Sequence, residues 1–324
     1  MRRAIAFFLT LCLLAGTLGG CRAREMKKIE EKARTRTILA MDTVLTITAY
    51  GRKGEEGLTN AAAALYEMDA LLARGRESSA VYAFNHRGEL SADESFTRVM
   101  EIAESARTAT GGAYDPYLGA VLDLWGFGSG AGEHRVPTDE ELAAAPPLLD
   151  LGGIAKGWAG QQVQAILTEA GVKAAVIDLG GDVSLLGAKP DGSPWRVAIK
   201  DPQDTNFRVG VLEVTGKCSI MTSGSYERWF EEGGVRYHHI IDPETGYPVQ
   251  NEVLSATVIC EYGAWADALA TAVCVIGSDA ALALRETLKD EIPFDLVLVL
   301  SDGRVIYTTE SFRPGFNSYT FERV

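Results

Sequence analysis

The sequence predicts an α+β domain with a mostly antiparallel sheet and flanking helices. Three observations lead there. After one strand-period segment, amphipathic helix candidates precede a run of short strand-period segments, without the regular alternation that a doubly wound parallel sheet requires. Tight turn signatures, Gly233-Gly234 and Ser301-Asp302-Gly303-Arg304, join neighbouring strand segments as antiparallel pairs are joined. The 324 residues, 47% hydrophobic and 23% charged, are enough for one large core or two smaller ones, which excludes disordered and fibrous classes.

Residues 1–20 open on Arg2 and Arg3, continue in an apolar run from Ala4 to Ala15 and end in small residues, the layout of a secretory signal peptide. The run is too short to span a bilayer as a mature helix. Leu18-Gly19-Gly20-Cys21 resembles the lipobox of bacterial lipoproteins, in which the cysteine becomes a lipid-bearing N-terminus; an ordinary cleaved signal is the alternative. The expectation is a lipid anchor at Cys21, holding the protein to the cell membrane on its extracytoplasmic face. Residues 21–37, rich in Lys, Arg and Glu, read as a solvated tether, and 38–324 as one domain.

Within the domain, Met41–Tyr50 alternates as a strand. Helices follow at about 59–73, with Leu65, Met68 and Leu72 on one face, and 95–109, with Val99, Ile102 and Ala106. Gly111-Gly112 ends the second. A third runs from Lys156 to Ala170 with Gly171 as its stop. Strands are expected at 174–179, 195–200, 209–214, around Gly233-Gly234 and at 254–260. Helices at 264–276 and 279–289 precede a last hairpin, 296–300 with 305–308.

The formal net charge of -13 argues against a polyanion-binding surface, so no nucleic-acid partner is expected. A nucleotide can still bind where metal ions and local cations offset its phosphates. Cys12 leaves with the leader, and Cys218, Cys260 and Cys274 show no CxxC spacing, so they read as buried thiols.

Four constellations carry chemistry. DLGGIAKG at 150–157 puts Asp150, two glycines and Lys156 at a helix mouth, which serves either a phosphate or merely a helix entry. VIDLGGDVSLLG at 176–187 repeats a glycine pair beside Asp182. WADALATAVCVIG at 265–277 places Asp267 and Thr271 on one face of an otherwise apolar helix. A buried carboxylate needs compensation, from a hard cation on the one reading or from the helix dipole on the other. In RYHHIIDPETGYP at 236–248, strand alternation would send His238 and His239 to opposite faces.

Seven collinear segments give these motifs a common meaning: MDT at 41–43, GGAYDPYLGAVLDLWGFG at 111–128, DLGGIAKG, LGGDVSLLGAKPDGSPWRVAIKDP at 179–202, TSGSYERWF at 222–230, YHHIIDPETGYP at 237–248 and ADALATAVCVIG at 266–277. In this order they resemble the ApbE family of FAD:protein FMN transferases, over about residues 38–310. The resemblance implies FAD-contacting roles for Met41, Ala113, Tyr114, Asp115, Asp150, Lys156 and His239. It implies a Mg²⁺ site from the Gly153 carbonyl, Asp267 and Thr271.

Mg²⁺ is thus the expected cofactor, FAD the substrate and a threonine- or serine-bearing extracytoplasmic protein the acceptor, which would leave with FMN in phosphodiester linkage as AMP is released. The general base for the acceptor hydroxyl falls first to His239 and second to Asp182. Two positions depart from the family pattern. Asp42 stands where many members have glycine, and a tyrosine that many members stack on the flavin aligns with Gly75, with Tyr82 nearby. The rival readings are an FAD pyrophosphatase, with water in place of the acceptor, and a flavin-binding lipoprotein without turnover.

Overall fold

A computed structural model describes residues 32–128 and 132–324. The leader 1–20, Cys21 and the tether up to residue 31 lie outside the described residues. The chain opens with a hairpin, β1 (Ala33–Ala40) and β2 (Thr43–Tyr50). Helices α1 (Gly54–Leu72), α2 (Ala80–Arg87), α3 (Glu94–Ala109), α4 (Gly119–Leu124), α5 (Asp139–Ala144) and α6 (Ala155–Glu169) follow. Then come strands β3 (Ala175–Leu179), β4 (Val183–Leu186), β5 (Trp195–Lys200), β6 (Arg208–Val214), β7 (Cys218–Gly224), β8 (Trp229–Glu232), β9 (Val235–His238) and β10 (Val253–Cys260). Helices α7 (Gly263–Ile276) and α8 (Ser278–Leu288) precede β11 (Phe294–Leu300), β12 (Arg304–Tyr307), β13 (Phe312–Pro314) and β14 (Thr320–Arg323).

The main sheet has nine strands in the order β1-β2-β3-β4-β7-β10-β11-β12-β14. Every neighbouring pair in it is antiparallel except β12 with β14. Period-two alternation assigns its two faces. Ala175, Ile177 and Leu179 of β3 face a core shared with α1, α3, α6 and α7, and Leu296, Leu298 and Leu300 of β11 face a second core with α7 and α8. On the opposite face Val297 and Val299 of β11, with Val183 and Leu185 of β4, pack beneath the small β13-β6-β5 sheet through Trp195, Leu212 and Phe312. This is the expected α+β domain with a mostly antiparallel sheet and flanking helices.

Two boundaries differ from the sequence reading. β1 starts at Ala33, inside the stretch 21–37 taken as tether: its basic composition masked an edge strand whose Thr35 and Thr37 suit β structure and face outward, while Arg34 and Arg36 lie half-buried on the side of Ile38 and Ala40. The strand expected from Met41 starts at Thr43, because Met41 and Asp42 form the hairpin turn with φ of 52° and 57°. A two-residue turn with both φ positive matches the right-handed strand twist, but it costs about 1–2 kcal/mol for each residue with a Cβ, less for Asp. The Met41 N–H donates to Asp69 Oδ1 of α1 at 2.9 Å, which fixes the strained turn over the helices.

Helices α6 and α7 cross at two glycines. A Cβ at Gly157 would overlap the Gly263 carbonyl, and one at Gly263 would overlap that of Gly157, so the helices meet backbone to backbone. This contact brings the start of α6 against Asp267 on α7.

Candidate functional site

The β1–β2 turn, the mouth of α6, the buried face of α7, the end of β7 and the segment 239–241 enclose a cavity of about 800 Å³. Met41, Ala113, Tyr114, Asp115, Asp150, Gly153, Lys156, His239, Asp267 and Thr271 all line it, although they come from five separate stretches of chain. Asp182 does not. A groove of the same size, about 800 Å³, adjoins through Asp115 and Leu118 but holds none of the others. The chemistry therefore concentrates in the first.

Asp267 is buried, and its Oδ2 accepts the Gly157 N–H at 2.8 Å. Burial pushes its pKa up to about 7, against the pull of Lys156. Thr271 lies one helical turn along, with its hydroxyl 3.3 Å from that of Ser223. A Cβ on Gly153 would come within 3.4 Å of Thr271 Oγ1, so the missing side chain leaves a small cradle between the α6 mouth and α7. Carboxylate, hydroxyl and carbonyl oxygens are hard donors, which fit Mg²⁺ rather than a softer metal. Among the described residues no three His, Cys, Asp or Glu side chains gather as metal ligands. A cation here would need substrate phosphates and water to complete its shell, the usual habit of Mg²⁺.

Lys156 is paired with Asp182, which is itself buried and accepts the Thr222 N–H through Oδ1 at 2.8 Å. Burial works against the Lys156 ammonium, but the Asp182 and Asp267 carboxylates outweigh it and hold its pKa above the ordinary lysine value. Asp182, assigned a base role second to His239, has both oxygens engaged and no place on the cavity wall. Its position makes it the counter-ion that aims and charges Lys156.

The α6 mouth offers less to an anion than its glycines promise. Leu151 O accepts the N–H of Ile154 at 3.0 Å and of Ala155 at 2.9 Å, and Gly157 serves Asp267. Asp150 is held as well: Oδ1 accepts the Gly152 N–H at 2.8 Å and Oδ2 accepts Arg74 Nε at 2.9 Å. Arg74 also grips Asp123 in a two-pronged pair, both contacts 2.6 Å, and sequence reasoning gave it no part.

His238 and His239 do separate, though not by strand alternation, since β9 ends at His238. His238 is buried with Nε2 2.9 Å from Val249 O. His239 lines the cavity with Nδ1 3.3 Å from Arg228 O. A carbonyl only accepts, so Nδ1 carries the proton and Nε2 the lone pair. Burial, then the Arg228 cation, push the His239 pKa down to about 3, so the ring is neutral across working pH and a weak base.

Tyr82 packs on His86, 4.0 Å between ring centroids, and is absent from the cavity wall, as is Gly75. Besides Arg74, the charged residues Asp42, Asp69, Arg76, Lys200, Glu227 and Arg228 of the wall had no assigned role. Glu227 and Arg228 stand inside the TSGSYERWF segment, so the motif marked their neighbourhood but not their task.

The ApbE family model matches residues 41–294. The FAD:protein FMN transferase of Vibrio cholerae serotype O1 is 34% identical over 274 residues, 77% of this chain and 81% of the relative. That of Treponema pallidum is 30% identical over 336 residues, 91% of each. Among solved structures, the ApbE protein of Thermotoga maritima superposes with a TM-score of 0.76 at 28% identity, covering 88% of this chain and 97% of that one. The flavin transferase ApbE from Vibrio cholerae gives 0.71 at 29% identity, with the same 88% and 97% coverage.

Proposed function

Because this chain belongs to the ApbE family, we propose that its cavity splits FAD and passes the FMN half to a threonine or serine hydroxyl of another protein, releasing AMP. The enzyme class is FAD:protein FMN transferase, that of its curated relatives. The observation that carries the finer reading is the meeting of Gly153, Asp267, Thr271 and Lys156 in one cavity large enough for a dinucleotide.

Gly153, Asp267 and Thr271 would hold Mg²⁺, which when bound supplies charge neutralisation and orientation of the phosphates. Lys156, aimed by Asp182, adds a fixed cation for phosphate oxygens. Arg74 holds Asp150 and Asp123 so that this part of the wall keeps its shape. Met41, presented by the strained turn, and the neutral His239 ring border the same space and would position the flavin nucleotide. No nucleophile from this chain is required, since the acceptor brings its own hydroxyl.

The lipid anchor at Cys21 and the extracytoplasmic location are part of this proposal, resting on the leader and lipobox pattern. The test of the activity is incubation of the protein with FAD, MgCl₂ and a threonine-bearing peptide. We expect the intact mass of the peptide to rise by one FMN phosphodiester in step with AMP, and both to vanish with chelator. AMP and free FMN without peptide modification would instead establish a pyrophosphatase.

A further inference from the structure

One side chain of the cavity wall is buried with its polar atom unanswered. Tyr114 is 2% exposed, and its hydroxyl, shut off from solvent, has no hydrogen-bond partner among the described residues. Its backbone is fixed just past the end of α3, where the N–H donates to Thr110 Oγ1 at 3.1 Å. From there the ring reaches the Gly153 cradle. A Cβ on Gly153 would lie 3.3 Å from Tyr114 Cε2, 3.9 Å from its Cδ2 and 3.4 Å from Thr271 Oγ1. The ring edge and the Thr271 hydroxyl thus flank the same small space, and the ring atom next to the hydroxyl-bearing carbon is the nearer of the two.

Four carboxylates act on this phenol: Asp267 most strongly, then Asp150, Asp115 and Glu104. Three of them are already served. Asp150 accepts from the Gly152 N–H and Arg74, Asp115 from the Tyr117 N–H and Arg107, and Glu104 from the Tyr117 hydroxyl. Asp267 accepts the Gly157 N–H at Oδ2, and among the described residues its Oδ1 has no hydrogen bond.

We propose that Tyr114 is a positioning residue of the cation site, its hydroxyl being the donor that steadies Asp267 Oδ1 while that carboxylate ligates Mg²⁺. This rests on the Mg²⁺ site of the transferase reading. Each carboxylate oxygen carries two lone pairs, so Oδ1 can serve a cation and accept one hydrogen bond together. Carboxylates that ligate metals are held by such outer contacts, whose loss weakens the metal without removing a ligand. The Gly157 N–H supplies one from α6, and Tyr114 supplies the other from the end of α3. Burial, then the Asp267 and Asp150 carboxylates, push the Tyr114 pKa well above the ordinary tyrosine value, so the group stays an O–H donor. Packing alone does not account for it. The ring belongs to the core beneath the sheet, where phenylalanine would fill the same space without leaving a buried hydroxyl unpaired.

The test is Tyr114→Phe in the full chain, which removes the hydroxyl and keeps the ring. Mn²⁺ is titrated in, first alone and then with FAD bound, and followed by the loss of the free-ion paramagnetic signal. Melting midpoints are measured in chelator and in MgCl₂, and FAD affinity in chelator by flavin fluorescence. The variant should bind Mn²⁺ about 10-fold or more weakly, with FAD affinity in chelator unchanged. In chelator it should melt at or above the wild-type temperature, since no partner is lost, and MgCl₂ should raise its midpoint less than it raises that of wild type. A hydroxyl with a purely structural task would give the reverse, a lower midpoint in chelator and an unaltered Mn²⁺ affinity. That pattern, a Mn²⁺ affinity within about twofold of wild type, or a loss of FAD affinity in chelator as large as the loss for Mn²⁺ would overturn the assignment. Wild-type protein that takes up no Mn²⁺ under either condition would overturn the Mg²⁺ site itself, and this proposal with it.

Discussion

At Asp267 a carboxylate sits inside the protein with a single backbone N–H for company. Burial lifts its pKa from the unfolded value of about 3.9 to about 7. Between those values the unfolded chain releases a proton that the folded, metal-free protein keeps. The stability of the metal-free protein therefore falls as pH rises from about 4 to about 7, and Asp267 makes no further change above that. Asp267→Asn removes the penalty. We expect the variant, melted in chelator over this range, to lack that part of the decline and to be the more stable protein near neutrality. Its AMP release should drop about 10²-fold or more, since an amide is a poor ligand for a hard cation. A variant that unfolds with the wild-type pH dependence would refute the buried-carboxylate account. Site residues of this kind commonly trade stability for function.

The element that sets the site is the crossing of α6 and α7. Its closeness depends on Gly157 and Gly263, and it lets one N–H of α6 reach Asp267 on α7 at 2.8 Å. Gly157→Ala should force the helices apart, costing about 1–3 kcal/mol and shifting Asp267 relative to Gly153. The expected result is a lower unfolding midpoint together with a weaker Mg²⁺ requirement curve, the half-saturating concentration moving upward. Ala at Gly171, where φ is 83° but the nearest atom to a Cβ is 3.8 Å away, serves as a control, since it strains the end of α6 without approaching α7. A normal metal response in Gly157→Ala would mean that the crossing does not position Asp267. The helices here were readable from apolar spacing and glycine stops. Their crossing was not, because the meeting of two backbones depends on what each glycine faces across space.

Over the whole molecule, helices cover one face of the nine-stranded sheet and the small three-stranded sheet covers the other. The cavity opens among the β1–β2 turn, the α6 mouth and α7, so catalytic and supporting layers are distinct. The proposed anchor precedes β1 by a short stretch that ends at an edge strand. Cys21→Ser should shift the protein from the membrane fraction to the soluble fraction with FAD affinity preserved; a variant that stays with the membrane would refute the lipid anchor. By itself the sequence determined the α+β class, the main helices and the collinear motifs that identify the family, because periodicity and motif order are properties of the chain. It also supplied ten residues that fold into one cavity. Only the tertiary structure decided which partners the side chains in and behind this wall have. Asp182 became the counter-ion of Lys156, Asp150 the partner of Arg74, and His239 a neutral ring, because ion pairing and desolvation arise between residues distant in sequence.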